Sequence, residues 1–119
     1  MQFVGVELNN TGGMIRALDA SRVDVYVSAI RHGELDTDGS GEIRMTGDVT
    51  IEDVASTAKI VCVNNTGTYF RDTITNNGTI DLVSTGNYTQ LYVGGAAGSV
   101  LTLAGGGTLI TFPTLLMVG

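Results

Sequence analysis

Charge is the scarcest commodity in this chain of 119 residues: only 15% are charged, and the formal net charge is −6. The six cations, Arg16, Arg22, Arg31, Arg44, Lys59 and Arg71, are spread along the chain rather than gathered into a stripe. A protein that neutralises nucleic-acid phosphates needs such a stripe, so nucleic acid is not an expected partner. An anionic membrane surface is disfavoured for the same reason.

Cysteine occurs once, as Cys62 inside the apolar run Ile60-Val61-Cys62-Val63, which excludes an intramolecular disulfide and a cysteine-rich metal site. Cys62 is expected as a buried thiol behaving like a small apolar side chain. No apolar run approaches the roughly 18 residues that would span a bilayer, so membrane insertion by a helix is not expected. The start, Met1-Gln2-Phe3-Val4-Gly5, lacks a basic, then apolar, export signal, so any export is expected to be directed by sequence elsewhere.

Proline appears once and tryptophan not at all, while glycine appears 17 times beside abundant Thr and Asn. Gly and Asn punctuate turns, and Thr, Val and Ile suit a pleated strand. With 43% apolar residues the chain can bury a continuous core. An all-β chain with many short strands is the expectation.

The strands recur. Gly13 precedes Met14-Ile15-Arg16-Ala17-Leu18 and Gly33 precedes Glu34-Leu35-Asp36-Thr37, a step of 33 − 13 = 20. Gly78 and Gly98 precede similar segments and give 98 − 78 = 20, with Ala58-Lys59-Ile60-Val61-Cys62-Val63 near the middle of the interval between the two pairs. A unit of about 20 residues is the signature of a solenoid. The pattern predicts a right-handed, single-strand parallel β-helix of about five rungs, a single domain over residues 1–119. Its competitor is an antiparallel sandwich or jelly roll, since Asp38-Gly39, Asn77-Gly78 and Gly86-Asn87 also read as hairpin turns.

Period-2 alternation assigns an inward column of Ile15, Leu35, Ala58, Ile80 and Val100. The outward neighbours are then Arg16, Asp36, Lys59, Asp81 and Leu101, alternating in sign through the first four, and a second strand places Asp24 one rung before Arg44. Opposite charges in adjacent parallel strands favour that register.

Two stretches carry a resemblance. Asn10 to Ser21 (NTGGMIRALDAS) and Thr75 to Leu82 (TNNGTIDL) resemble the degenerate coils of bacterial autotransporter passengers and haemagglutinin-like adhesins, and Leu101 to Leu109 (LTLAGGGTL) is similar to a turn recurring in those proteins. The resemblance implies a β-helix and an extracellular, cell-surface or virion setting. It implies little about role, because one fold hosts many functions.

Candidate sites are few. Asp36, Asp38 and Glu42 set oxygen ligands around a glycine turn and are the calcium candidates, but a calcium loop's twelfth-position Glu is Gly47 here. Asn9-Asn10, Asn64-Asn65 and Asn76-Asn77 are read as turn asparagines, with Asn65 and Asn77 as structural residues that could stack as a ladder. Asn9, Asn64, Asn77 and Asn87 each precede Thr by two, a weak glycosylation signal. Tyr26, Tyr69, Tyr88 and Tyr92 could serve as sugar-stacking platforms, which makes glycans a possible partner. His32 stands alone in sequence, no Ser has a His-Asp pattern beside it, and Gly105-Gly106-Gly107 lacks the Lys-Ser/Thr of a phosphate loop, so an enzyme is not expected.

The last stretch, residues 109–119, is the most apolar. It reads as a cap or a subunit contact through Phe112, Leu115 and Leu116, because a solenoid cut between rungs leaves an uncovered cross-section. The expected partners are therefore further coils or copies of the chain. Three functions follow as expectations: a structural or adhesive segment of a large repeat protein, a self-assembling virion-fibre, capsid-decoration or filament subunit, and a carbohydrate-binding module.

Overall fold

The computed structural model describes residues 1–93, 102–112 and 115–118; side chains are described for residues 1–93 and 104–110. All regular structure among them is β, and every strand pairing is parallel. The chain is a β-solenoid of about five turns.

The first turn contains β1 (Gln2–Val4), β2 (Glu7–Asn9) and β3 (Met14–Ala17); the second β4 (Arg22–Tyr26), β5 (Ala29–Arg31) and β6 (Glu34–Thr37). In the third, β7 (Glu42–Met45) leads into β8 (Val49–Ser56), and in the fourth β9 (Lys59–Cys62) leads into β10 (Gly67–Asn76). The fifth has β11 (Thr79–Val83), β12 (Thr89–Val93) and β13 (Thr102–Ala104), and β14 (Thr108–Phe112) with β15 (Leu115–Val118) begin a sixth. One sheet runs β1-β4-β7-β9-β11-β14; the rest form the other two sides of the triangle, with β8 and β10 bending through the corner between them.

The core consists of stacked columns. On the first side Val23, Ile43, Ile60 and Ile80 lie in register, and Val25, Met45, Cys62 and Leu82 do likewise. All eight are at most 4% exposed. On the second side Leu8, Ile30, Ile51, Phe70 and Val93 stack. Each buried aliphatic side chain contributes roughly 1.5–3 kcal/mol, and stacking like on like lets every turn shield the next.

The third side departs from the expected column. Ile15 pairs with Leu35 as read, but Leu35 then meets Ser56, and Ser56 meets Asn76. Ala58 is buried elsewhere, and Ile80 belongs to the first side, opposite Ile60. Val100 lies outside the described residues. The buried Ser56 and Asn76 are tolerated because each caps a turn: Ser56 Oγ accepts from Ala58 N at 3.1 Å, and Asn76 Oδ1 accepts from Gly78 N at 3.1 Å.

Candidate functional site

The polar groups of the outer surface are arranged by the turn-to-turn spacing of about 4.8 Å. On the third side, Arg16 donates to Asp36 one turn on, with Nη2 to Oδ2 at 2.6 Å and Nε to Oδ2 at 2.8 Å. The next turn contributes Thr57, whose hydroxyl donates to Asp36 Oδ1 at 2.7 Å. These two donors, Thr57 first, hold the Asp36 carboxyl below the usual carboxylate range. Lys59 and Asp81 do not continue this column. Both sit on the first side, where Lys59 Nζ faces Glu42 Oε2 at 3.6 Å.

That first side carries the densest pattern of charge. Its outward positions form one column of Arg22, Glu42, Lys59 and Thr79, and a second of Asp24, Arg44, Val61 and Asp81. Signs alternate through Arg22, Glu42 and Lys59 in the first column and between Asp24 and Arg44 in the second, and they oppose across β4 and β7, while Val61 and Thr79 are uncharged. Arg22 Nε lies 3.2 Å from Asp24 Oδ1, and Arg44 Nε lies 3.9 Å from Glu42 Oε1. Neither approach is a hydrogen bond: Asp24 Oδ1, Arg44 Nε and Asp81 Oδ1 are buried atoms without a hydrogen-bond partner among the described residues. All three belong to the second column.

On the second side Arg31 bridges turns, reaching Glu52 at 3.1 Å and Glu7 at 3.6 Å, and Arg71 follows Glu52 in register. The corner beyond it stacks His32 and Asp53, both with positive φ (68° and 53°), and His32 Nδ1 lies 3.0 Å from Asp53 Oδ2. His32 thus has a carboxylate neighbour that the sequence placed 21 residues away. A shallow cavity of about 500 Å³ runs beside this corner, lined by Gly12, Gly33, Glu34, Asp53, Ala55 and Thr73 among others. Rung 4 carries a bulge between Arg71 and Ile74 at its edge.

The calcium candidates are not brought together. Asp36 is committed to Arg16 and Thr57, whereas Glu42 lies on the first side among Arg44 and Lys59. Asp38 occupies the turn between these strands, where Asn-like capping falls instead to Asp19, whose Oδ1 accepts from Ser40 N at 2.8 Å. The Ser40 bonds hold the Asp19 carboxyl below its ordinary range. Among the described residues no group of three metal-ligating side chains converges.

The asparagine pairs occupy three different corners, so they form no ladder. Asn9 Oδ1 accepts from Thr11 N at 3.2 Å; Asn64 Oδ1 accepts from Thr85 N at 2.7 Å and Asn87 N at 3.1 Å; Asn77 Oδ1 accepts from Gly106 N at 3.0 Å. Asn65 takes φ 65°, a left-handed position that Asn accepts more readily than most residues. Asn9, Asn64 and Asn77 therefore each cap a turn, the last two reaching the turn one rung later.

The tyrosines divide. Tyr69 and Tyr92 stack across adjacent turns with centroids 4.5 Å apart and planes 8° from parallel, and Tyr92 Oη donates to Gln90 Oε1 at 2.7 Å. Their flat faces are turned to each other along the solenoid axis, so each ring covers one face of the other. Tyr26 and Tyr88 are exposed but stand apart, on β4 and in the turn before β12. Of the assembly candidates, Phe112 ends β14, and Leu115 and Leu116 open β15, which pairs with β12. Their side chains lie outside the described residues.

Comparison with known proteins gives no match: no family model, no curated protein and no solved structure. The functional reading rests on the chain itself.

Several relationships escaped the sequence reading, among them Glu42 with Lys59, Arg31 with Glu52, His32 with Asp53, and Tyr69 with Tyr92. The signal existed for the second, because 52 − 31 = 21 is the rung length and the signs are opposite. The first was hidden by a short rung, with 59 − 42 = 17.

Proposed function

We propose that the chain is a non-enzymatic structural segment of a large surface or secreted β-solenoid protein, in the manner of the autotransporter passengers and haemagglutinin-like adhesins its coils resemble. The observation that carries this reading is the use made of the outer polar side chains. Asp36, Glu42 and Glu52 each face a cation in an adjacent turn, so the surface charge is spent on holding turn to turn rather than converging on a point. Such a stack acts as a rigid stalk whose faces can adhere.

Among the described residues β1, β2 and β3 pair only with the second turn, and Phe3 and Leu8 on that cross-section are half-buried. In a solenoid, stability is a sum over turns and their interfaces, so a further coil stacked there covers apolar area and pairs free strand edges. The test is to fuse one consensus coil before Met1 and compare thermal melting with the chain alone. A clear rise in Tm with unchanged β signal is expected. A chain that is already a monomer of high Tm, and gains nothing from the added coil, would refute the segment reading.

The self-assembling fibre or filament subunit is the second reading, favoured by the same one-sided pairing of the first turn. Sedimentation over a wide concentration range separates them, since a subunit of that kind forms open head-to-tail chains.

A further inference from the structure

The first side of the triangle is a sheet face with two outward columns of opposite phase. Turn by turn they read Arg22 and Asp24, then Glu42 and Arg44, then Lys59 and Val61, then Thr79 and Asp81. A two-fold axis parallel to the solenoid axis, placed between the columns, lays the first column of one copy over the second column of another at the same turn. Arg22 then opposes Asp24 of the second copy, and Glu42 opposes Arg44 of the second copy. Each contact occurs twice, as a two-fold interface requires.

We infer that this face is the site of side-by-side pairing with a second copy of the chain, the two solenoids running parallel and in register. Charge complementarity is the argument: with this axis every charged residue of turns two and three meets its opposite, whereas an axis running through the second column would set Asp24 on Asp24 and Arg44 on Arg44. The exposed parts of Arg22, Glu42, Arg44 and Lys59 make the contact, while Asp24 Oδ1, Arg44 Nε and Asp81 Oδ1 are covered within their own chain.

The ion pairs at such a contact set its register and orientation, and salt weakens them. Analytical ultracentrifugation of the wild-type chain is expected to show a dimer at about 0.05 M salt that weakens at about 0.5 M. Two single variants sharpen the test. In Arg44→Glu, Glu42 meets a carboxylate; in Glu42→Arg, Arg44 meets a guanidinium. Each variant alone is expected to associate at least about tenfold more weakly than wild type. Mixed in equal amounts they form a heterodimer, because both cross-contacts are again of opposite sign. Far-UV circular dichroism checks that each variant is folded, and should this pair fail to fold, Arg22→Glu and Asp24→Arg pose the same question one turn earlier. Recovery on mixing establishes the interface. A wild-type chain that stays monomeric at low salt, self-association undiminished in the single variants, or a mixture as monomeric as its components would overturn it.

Discussion

Asp36 accepts a charge-assisted hydrogen bond from Arg16, twenty residues earlier, at 2.8 Å, and the two side chains belong to adjacent turns of the stack. Their contact, with Thr57 completing it from the following turn, fixes three successive turns on the third side.

A pH dependence follows from it. The Asp36 and Asp19 carboxyls are held below their ordinary range by hydrogen bonds that the unfolded chain lacks. Groups with a depressed folded pKa bind fewer protons when folded, so their stabilisation is full above the unfolded pKa of about 3.9 and is lost as pH falls through the folded value. Thermal melts from pH 7 to pH 2 should show Tm falling mainly below about pH 4. Asp36→Asn should flatten that fall; an unchanged profile would remove Asp36 from the account.

Cys62 gives a chemical readout of the core. It is fully buried, with the Thr68 hydroxyl 3.3 Å from Sγ, and burial pushes its thiol up to about 11. A thiol raised from an ordinary 9.0 stabilises the fold below that value, and the contribution disappears between about pH 9 and about 11. At pH 8 the native chain should leave a thiol reagent unreacted, while the urea-unfolded chain should react fully. Rapid native labelling would mean that the fourth turn and its neighbours open easily.

Among the described glycines Gly33 is the least able to carry a side chain. Its φ is 77°, and an added Cβ would lie within bonding-forbidden distance of the Asn10 carbonyl oxygen. Gly33→Ala is therefore expected to destabilise by more than about 1 kcal/mol in denaturant melts. Gly12→Ala, with a similar φ of 71° but open space around it, should cost less.

Asn76 is a polar residue at an interior position, 7% exposed. It accepts from Gly78 N and donates to the Thr108 carbonyl at 3.2 Å, so Asn76→Ala removes two hydrogen bonds to the backbone of part-buried turns. A loss of roughly 1–3 kcal/mol is expected. A neutral substitution would show that water satisfies those groups.

How far the fold could be read from sequence turns on such residues. The 20-residue step and the opposite charges gave the Ile15 to Leu35 and Arg16 to Asp36 contacts and the Asp24 to Arg44 step. Beyond the second turn the reading slipped by two residues, taking Ala58 for Ser56. A slip of two leaves the period-2 alternation intact, so patterning could not detect it. The polar Ser56 and Asn76 also continue a column that apolar residues begin, which sequence hydrophobicity cannot reveal. Gly78 misled in another way: it precedes a strand of the first side, whereas Gly33 precedes one of the third.

The candidate site was less legible than the fold. The rung between Arg44 and Val61 spans 61 − 44 = 17 residues, and that between Asp81 and Ile110 spans 110 − 81 = 29. Turns absorb such differences at little cost, since loop closure depends weakly on length. Outward neighbours such as Glu42 and Lys59 are therefore set by local loop lengths that no fixed period encodes.

The register is the claim on which every surface assignment depends, and paired cysteines measure it directly. In a Cys62→Ala background, Asp36→Cys combined with Thr57→Cys places two thiols on neighbouring parallel strands, within the Cα separation of about 4.4–6.8 Å that a disulfide needs. Mild oxidation followed by mass spectrometry should show that this pair closes, while Asp36→Cys with Lys59→Cys stays reduced. Closure of the second pair in preference to the first would contradict the register, and with it the charge columns of the first and third sides.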